Sequence, residues 1–337
     1  MNLDPETIPI LLRRAGVVGA GGGGFPSYVK YQKPTKTYIA NCTESEPGYY
    51  GDKLLMRDHP DVICKALKLL RDTLGYERVV MAVKKKHIHY CTEVIHYAEE
   101  SGDFEMAYVP DEYMMGEEKT LTKFVTGEKV PRGAIPPHIG VTVQNTETLY
   151  NIYWALTEHR PVTSKFLQTI GEIQHDEVIR APIGTPVTTI WKHAGMDPEQ
   201  AVQKYHLVDG GPLLGDVIED HAHHVVLKTT NGLFAVDREK FKGRGKLYPG
   251  PGHEPPSRIS VIADEVDRVE VPLGTRYGEP AIPVVNEGDA VAMGQEIGHY
   301  QPEKLSVSVH ASIPGVVRKV TKERIHIERQ AQVHEEE

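Results

Sequence analysis

Cysteine is scarce in this sequence, and its scarcity limits the metal centres that the chain can build. The 337 residues include three cysteines, Cys42, Cys64 and Cys91, each more than twenty positions from the next. Structural zinc and iron–sulfur clusters usually take about four ligands, grouped at short spacings. We therefore expect this chain to bind neither a metal nor an iron–sulfur cluster. An odd cysteine number without a recognisable signal peptide also favours the reducing cytoplasm.

Long apolar runs and excess positive charge are missing as well. No stretch reaches the ~18 consecutive apolar residues of a membrane-spanning helix, so we expect no direct membrane insertion. Lys and Arg total 38 against 47 Asp and Glu, a formal net charge of −9. Binding to a phosphate backbone needs a basic face, and this balance therefore argues against nucleic acid as a partner.

Strands and helices alternate in the first part of the sequence. Apolar periodicity predicts helices over residues 4–16, 61–73 and 92–100, and strands over 37–41, 78–83 and 104–109. This alternation is typical of a parallel sheet with helices on its faces. The prediction for residues 1–165 is therefore an α/β domain.

The pattern changes after residue 160. A helix over 186–194 and short β-rich runs at 205–209 and 224–228 predict a small α+β module, which we assign to residues 170–245. Pro and Gly are dense around 248–256, so residues 246–262 are predicted to be a linker. Short strand candidates at 281–285, 306–309 and 313–318 predict an all-β domain over 263–328, before a frayed tail at 329–337.

A glycine-rich segment, Gly19-Ala20-Gly21-Gly22-Gly23-Gly24-Phe25-Pro26, is the most distinctive motif. Consecutive glycines let the backbone approach a phosphate or a flat ring and turn its N–H groups toward it. The spacing also satisfies the dinucleotide fingerprint G-x-G-x-x-G, with Glu44 downstream. A Rossmann unit would need a strand before the loop and a longer helix after it, so this interpretation ranks lower. A flexible linker is disfavoured by Phe25-Pro26.

Further motifs follow in a fixed order, and together they resemble one family. The series resembles the FMN-binding subunit family of respiratory complex I, the Rnf complex C subunit and the cobalamin reductase of propanediol utilisation, here in a short form without the iron–sulfur insert. The motifs are the glycine segment with Lys30, Asn41-x-x-Glu44-Ser45-Glu46-Pro47, Met56-Arg57-x-His59-Pro60, Gly116-Glu117-Glu118-Lys119, and Gln144-Asn145-x-Glu147-Thr148-Leu149.

The resemblance implies a fold for each region. The first domain would be a Rossmann-like FMN-binding domain with a parallel sheet, and residues 181–215 resemble a β-grasp ligand-binding module. Residues 269–327 resemble a lipoyl-like barrel-sandwich hybrid. No lipoyl-lysine pattern is evident there, which favours a scaffold role for that domain.

Site residues are implied by the same resemblance. Glu117 and Glu118 would lie beside the flavin ring and help to set its potential, so they are the candidate catalytic residues. A helix N-terminus with acidic caps is the structural alternative for this pair. The candidate cofactor-binding residues are Gly19, Gly21, Gly22, Gly23, Gly24, Phe25, Lys30, Asn41, Glu44, Ser45, Glu46, Gly116, Asn145 and Thr146.

NADH is the implied electron donor, although the aromatic clamp of the complex I type is missing. Phe25 matches a ring packed near the nicotinamide, but Lys33 stands where a second aromatic is expected. Residues 240–262, where the cobalamin-reductase type carries its iron–sulfur insert, contain no cysteine. Electrons would therefore leave to a partner, either an iron–sulfur protein or a corrinoid protein.

Two functional hypotheses follow. The first is an NADH-dependent FMN oxidoreductase subunit that transfers electrons to such a partner. The second is a non-catalytic docking subunit that keeps the fold but has lost the electron exit. A Rossmann dehydrogenase ranks third, and the sequence leaves open whether the chain forms a homo-oligomer.

Overall fold

A four-stranded parallel sheet forms the framework of the first domain in this computed structural model, which describes residues 3–240 and 255–330. Its strands are β1 (Thr37–Cys42), β2 (Arg78–Lys84), β3 (Glu105–Val109) and β4 (Val141–Asn145), in the order β3-β2-β1-β4. The helices are α1 (Thr7–Arg14), α2 (Gly51–Asp58), α3 (Pro60–Leu74), α4 (Thr92–Ser101), α5 (Glu118–Thr126) and α6 (Thr146–Glu158). The predicted parallel α/β architecture is confirmed.

Strand composition explains the order of this sheet. The β2 strand, with its run Val-Val-Met-Ala-Val, is buried almost throughout and lies inside the sheet. The edge strand β3 is largely half-buried or exposed, whereas the other edge strand, β4, is buried at four of its five positions. Parallel pairing sets Asn41 of β1 beside Asn145 of β4, so both strands present asparagine at the same carboxyl edge. Ligands of open α/β sheets bind at this edge.

The second module is a mixed sheet with the β-grasp order. It contains β5 (Ser164–Gly171), β6 (Glu177–Pro182), α7 (Val187–His193), α8 (Pro198–Lys204), β7 (Tyr205–Asp209), β8 (Asp216–Val217) and β9 (Gly232–Asp237). The β5–β6 hairpin is antiparallel, whereas the central strands β5 and β9 are parallel. Strand β7 flanks β9 in the antiparallel sense.

Two predictions in this region were wrong. Residues 224–228 do not form a strand, because Val226 exchanges backbone hydrogen bonds with the turn at Gly184 and Thr185, and Val225 makes an isolated bridge to Pro186. The predicted linker contains a strand, β10 (Ile259–Val261), which pairs in parallel with β6 and extends the β-grasp sheet. The hydroxyl of Ser260 also donates to Glu177 at 2.5 Å, which anchors the added strand.

Residues 246–254 of the predicted linker and 331–337 of the predicted tail lie outside the described residues. The limits assigned to the modules from the sequence stay predictions.

Two small antiparallel sheets make up the C-terminal domain. The strands are β11 (Arg268–Pro272), β12 (Ile282–Pro283), β13 (Ala290–Val291), β14 (Glu296–His299), β15 (Val309–His310), β16 (Gly315–Val320) and β17 (Arg324–Glu328). Their orders are β11-β17-β16-β13 and β12-β14-β15. Val269, Ile297 and Ile325 are almost fully buried in the core. The predicted all-β hybrid is confirmed, although β12 and β15 are shorter than the predicted runs and β16 is shifted by two residues from 313–318.

The modules share one hydrophobic core and several backbone hydrogen bonds. The amide of Glu270 in the hybrid domain donates to the carbonyl of Gly184 in the β-grasp module at 2.8 Å. Arg13, at the end of α1, donates to hybrid-domain carbonyls, among them Gln301 at 2.7 Å and Ser306 at 2.9 Å. Within the described residues, no helix is long and apolar enough to cross a bilayer.

Candidate functional site

A cavity of about 1520 Å³ opens at the carboxyl edge of the parallel sheet, where all three modules meet. Its wall includes the segments 41–46, 116–119 and 144–148 of the first domain, 209–211 and 227–231 of the β-grasp module, and 274–277 of the hybrid domain. Nearly all the site residues predicted from the sequence line this one cavity. Gly24 and Thr146 are the exceptions, since both are buried behind the wall.

The glycine segment is an ordered loop. Its base is closed by hydrogen bonds from the Gly19 amide to the Phe25 carbonyl and from the Gly24 amide to the Gly19 carbonyl, each 2.8 Å. Gly22 and Gly24 have φ of +89° and +70°, which side chains rarely adopt. Among the described residues, the amides of Gly21, Gly22 and Gly23 have no hydrogen-bond partner. Such a group of unpaired amides is suited to an anion.

Close contacts explain why two of these positions are glycine. A Cβ on Gly21 would lie 3.1 Å from the side chain of Asn145. A Cβ on Gly24 would lie 2.8 Å from the Thr229 methyl and 3.2 Å from Cβ of Arg276. The loop is therefore packed between the first domain and segments of both later modules.

Lys30 is buried beside the loop. Its ammonium donates to Glu118 Oε1 at 2.6 Å and to the carbonyl of Val143 at 2.8 Å. The lysine reaches the cavity from a short 3₁₀ helix, Ser27–Tyr31, that directly follows the glycine loop. A positive charge and its carboxylate partner thus lie at one side of the cavity.

Residues at the end of β1 hold the opposite segment in place. The side-chain amide of Asn41 donates to the carbonyl of Gly116 at 3.0 Å, while the Thr43 hydroxyl donates to Asn41 Oδ1 at 2.7 Å. A Cβ on Gly116 would lie 2.7 Å from the Ser45 hydroxyl. The absence of a side chain at Gly116 therefore allows its backbone to pack directly against Ser45 at the cavity wall.

The two candidate catalytic glutamates have different surroundings. Glu117 is the N-cap of α5, where its carboxylate accepts from the Thr120 amide at 2.7 Å. Glu118 pairs with Lys30 and is partly exposed. The helix-cap interpretation therefore holds for Glu117, and Glu118 is the carboxylate coupled to a buried cation.

Glu46 connects the first domain with the β-grasp module. Its carboxylate accepts from the amides of Leu213, at 2.6 Å, and Leu214, and from the Tyr113 hydroxyl at 3.0 Å. Gly211 lies against this carboxylate. Through these contacts Glu46 holds the β-grasp module against the first domain at the cavity wall. Glu44 instead pairs with buried Lys53 at 3.1 Å.

The floor of the cavity is the N-terminus of α6. Asn145 caps this helix by accepting from the Glu147 amide at 3.0 Å, and its Nδ2 donates to Asp52 Oδ2 at 2.5 Å. Burial, followed by the nearby carboxylates Glu44 and Glu147, raises the pKa of Asp52 to about 8. The N-terminus of α6 makes this floor favourable to an anion.

Sequence patterns had not indicated three residues of the wall: Lys228, Arg276 and Tyr277. Lys228 donates to the Gly16 carbonyl at 2.7 Å, and burial lowers its pKa to about 8. Each of the three is far in sequence from the glycine loop and joins the cavity wall through tertiary packing. No local periodicity or spacing carries that information.

Metal ligation finds no support in the described part of the chain. No group of three or more His, Cys, Asp or Glu side chains there could hold an ion. His223 and His224 instead form pairs with Asp220 and Asp209. The three cysteines are buried and free, and burial raises the pKa of Cys91 to about 11.

The geometry agrees with the match to known families. Residues 12–154 match the Nuo51 FMN-binding domain, and residues 256–334 match the RnfC barrel sandwich hybrid domain. The chain carries a Nuo51-type FMN-binding domain. The first match spans the glycine loop, Lys30, Asn41, Gly116 and Asn145, and therefore covers the first-domain wall of the cavity.

Curated relatives extend this similarity. The chain is 31% identical over 238 residues to the cobalamin reductase PduS of Citrobacter freundii, covering 70% of this chain and 51% of that protein. It is 33% identical over 241 residues to a subunit of the ion-translocating oxidoreductase complex of Rhodobacter capsulatus, covering 70% and 46%. The chain thus spans about half the length of these relatives.

A solved structure supports the fold. A chain from the crystal structure of an NAD⁺-reducing [NiFe]-hydrogenase in the H₂-reduced state has a TM-score of 0.58 at 18% identity, covering 70% of this chain and 47% of its own. The family expected from the sequence motifs is confirmed, together with its FMN-binding domain.

Proposed function

We propose that the chain is an FMN-dependent electron-transfer subunit that accepts a hydride from NADH and supplies electrons to a partner protein. The observation that carries this proposal is the convergence on one cavity of the unpaired glycine-loop amides and buried Lys30. The amides are suited to the phosphate of FMN, and the lysine is suited to its negative charge.

Each group has a proposed task. The amides of Gly21, Gly22 and Gly23 and the N-terminus of α6 would bind the phosphate. Lys30 and Asn41 would orient the ring, and Glu118 would place negative charge beside it through its contact with Lys30. Bound FMN supplies the conversion of a two-electron hydride transfer into single-electron steps, which nicotinamide alone cannot perform.

A partner is part of the proposal because the described residues contain no candidate cluster site to accept electrons from the flavin. The three cysteines are buried and free. We propose a cytoplasmic iron–sulfur or corrinoid protein as the acceptor. The names of the relatives, a cobalamin reductase and a component of an ion-translocating oxidoreductase complex, support a redox partner of this kind.

The deciding experiment is a titration of the purified chain with FMN, followed by anaerobic addition of NADH. We expect quenching of flavin fluorescence on binding and bleaching of the flavin absorbance by NADH. Flavin that binds but is not bleached would remove NADH from the proposal. A chain that does not bind FMN would contradict it altogether and favour the non-catalytic docking subunit.

Site variants locate the flavin. Lys30→Ala should weaken FMN binding by roughly tenfold or more, because a charge-assisted contact contributes about 1.5–3 kcal/mol. Glu118→Ala should shift the flavin reduction potential upward, because a negative charge beside the ring is removed. Lys123→Ala, on the exposed face of α5, is the matched control and should change neither property. Unchanged FMN affinity in Lys30→Ala would show that the flavin lies elsewhere.

A further inference from the structure

A loop of the hybrid domain, residues 273–281, reaches the mouth of the cavity. It is closed at its base by a hydrogen bond from the Ala281 amide to the Leu273 carbonyl, 2.9 Å long. The Thr275 hydroxyl donates to the Tyr277 carbonyl at 2.8 Å and braces the tip. Gly278, at φ +89°, packs directly on the backbone of Leu305. Arg276 and Tyr277 are therefore presented from a fixed loop.

The tip of this loop forms an aromatic corner with the glycine loop. The rings of Tyr277 and Phe25 lie 5.9 Å apart, centroid to centroid, at an interplanar angle of 69°. Tyr277 is 46% exposed, and both rings line the cavity. Edge-to-face packing fixes the orientation of the rings, and the exposure of Tyr277 leaves part of its surface available for stacking with a planar ligand.

Arg276 adds a positive charge next to the corner. Its Cβ lies 3.2 Å from the point that a Cβ on Gly24 would occupy, so the arginine stands directly over the glycine loop. It is exposed and makes no ion pair with any described residue. An arginine with an unpaired guanidinium can bind a phosphate through two parallel hydrogen bonds or stack on a base.

The volume of the cavity allows a second ligand. Ordinary small-molecule sites enclose about 300–1,000 Å³. The cavity here is about 1520 Å³, so a flavin bound at the first-domain wall leaves space on the side of Tyr277.

We propose that Phe25, Arg276 and Tyr277 form the entrance site for the dinucleotide donor, with a base stacked on Tyr277 and the pyrophosphate at Arg276. This inference rests on the proposed function and deepens it. Two aromatic rings with an adjacent cation fit a ligand that has planar bases and a negatively charged linker. The hybrid domain thereby supplies two of the three side chains of the entrance site, and the first domain supplies Phe25.

Binding of NAD⁺ to the FMN-loaded full chain tests the proposal by calorimetry, because NAD⁺ occupies the site without reducing the flavin. Tyr277→Ala should weaken NAD⁺ binding by about tenfold, the loss expected for one stacking contact. Tyr277→Phe keeps the ring and should bind nearly as wild type. Arg276→Ala should weaken binding and reduce its dependence on salt.

Controls separate this inference from the proposed function. FMN affinity should stay unchanged in Tyr277→Ala and Arg276→Ala, and Val284→Ala, an exposed position of the same domain outside the cavity wall, should behave as wild type in both titrations. Wild-type NAD⁺ affinity in both variants would overturn the entrance site and leave the flavin proposal intact. Failure of the FMN-loaded wild type to bind NAD⁺ would overturn the entrance site together with the NADH donor.

Discussion

At the scale of single residues, neighbouring glycines of one loop meet different demands. Gly24 has positive φ and lies against Thr229, so the folded chain itself requires glycine there. Gly23 has an ordinary φ, and a Cβ built on it meets nothing within 4 Å. Only a bound ligand would make a side chain at Gly23 unfavourable, which allows folding and binding to be separated experimentally.

Alanine substitutions at these two positions should therefore affect different properties, stability at Gly24 and FMN binding at Gly23. Gly24→Ala should lower the free energy of unfolding by about 2 kcal/mol, from a strained backbone and a close methyl contact. Gly23→Ala should leave the free energy of unfolding almost unchanged. It should weaken FMN binding by roughly tenfold or more, since the methyl would project into the site proposed for the FMN phosphate. Urea unfolding and flavin fluorescence measure the two effects. Wild-type FMN affinity in Gly23→Ala would rule out the loop as the phosphate-binding site.

At the scale of secondary-structure elements, helix α6 connects the parallel sheet with the β-grasp module. Glu147 in its first turn pairs with Lys165 of β5, and both side chains are almost fully buried. Glu147 Oε1 also accepts from the Phe166 amide at 3.1 Å. Burial raises the pKa of Glu147, and the nearby Lys165 ammonium counteracts that rise.

Removing one partner of this pair should destabilise the chain strongly. Lys165→Met leaves a buried carboxylate without its cation, a change that typically costs about 3–5 kcal/mol in free energy of unfolding. The double variant Lys165→Met with Glu147→Gln should recover part of this loss, because the glutamine oxygen can still accept from Phe166. Chemical denaturation of both variants provides the test. Equal stability of the single and double variants would contradict this account.

Elements with simple patterns were predictable from the sequence. Strand β2 has a continuous apolar run, and α3 has a clear apolar face that ends at Gly75 with φ +66°. Strand β5 escaped prediction because it is buried on both faces and its buried residues include the polar Lys165, Gln168 and Thr169, which are paired only in the folded chain. Similarly, nothing local to residues 224–228 shows that the turn at Gly184 takes their backbone hydrogen bonds.

The candidate site, like the secondary structure, was only partly predictable from the sequence. Motifs identified the first-domain wall, since Lys30, Asn41 and Asn145 belong to compact sequence blocks. Arg276 and Tyr277 lie some 250 positions beyond the glycine loop and join it only in the folded chain. A site assembled from several modules is only partly visible in a single sequence.

At the scale of the whole molecule, Arg13 connects the first domain to the hybrid domain. Its guanidinium donates to carbonyls of residues 301–306 and lies 4.2 Å from the centroid of the Tyr300 ring. Its own carbonyl accepts from the Ser308 amide at 3.1 Å. One residue therefore links helix α1 to the segment between β14 and β15.

Arg13→Ala should weaken this connection and lower the free energy of unfolding by about 2 kcal/mol, the loss expected for hydrogen bonds from a charged donor. Amide hydrogen exchange in residues 299–309 should become faster, whereas exchange in β2 should change little. The neighbouring Arg14 is exposed, so Arg14→Ala is a matched control and should leave the exchange pattern unaltered. Identical exchange in the two variants would show that the domains are held together elsewhere.

The contact of Gly24 with Thr229 and Arg276 also determines when the cavity can form during synthesis of the chain. The glycine loop leaves the ribosome before Arg276, which follows about 250 residues later. At roughly 5–20 residues per second, the loop stays without this contact for about 10–50 s. The complete cavity therefore exists only after the hybrid-domain loop has been made, and a flavin that binds sooner meets an incomplete set of contacts.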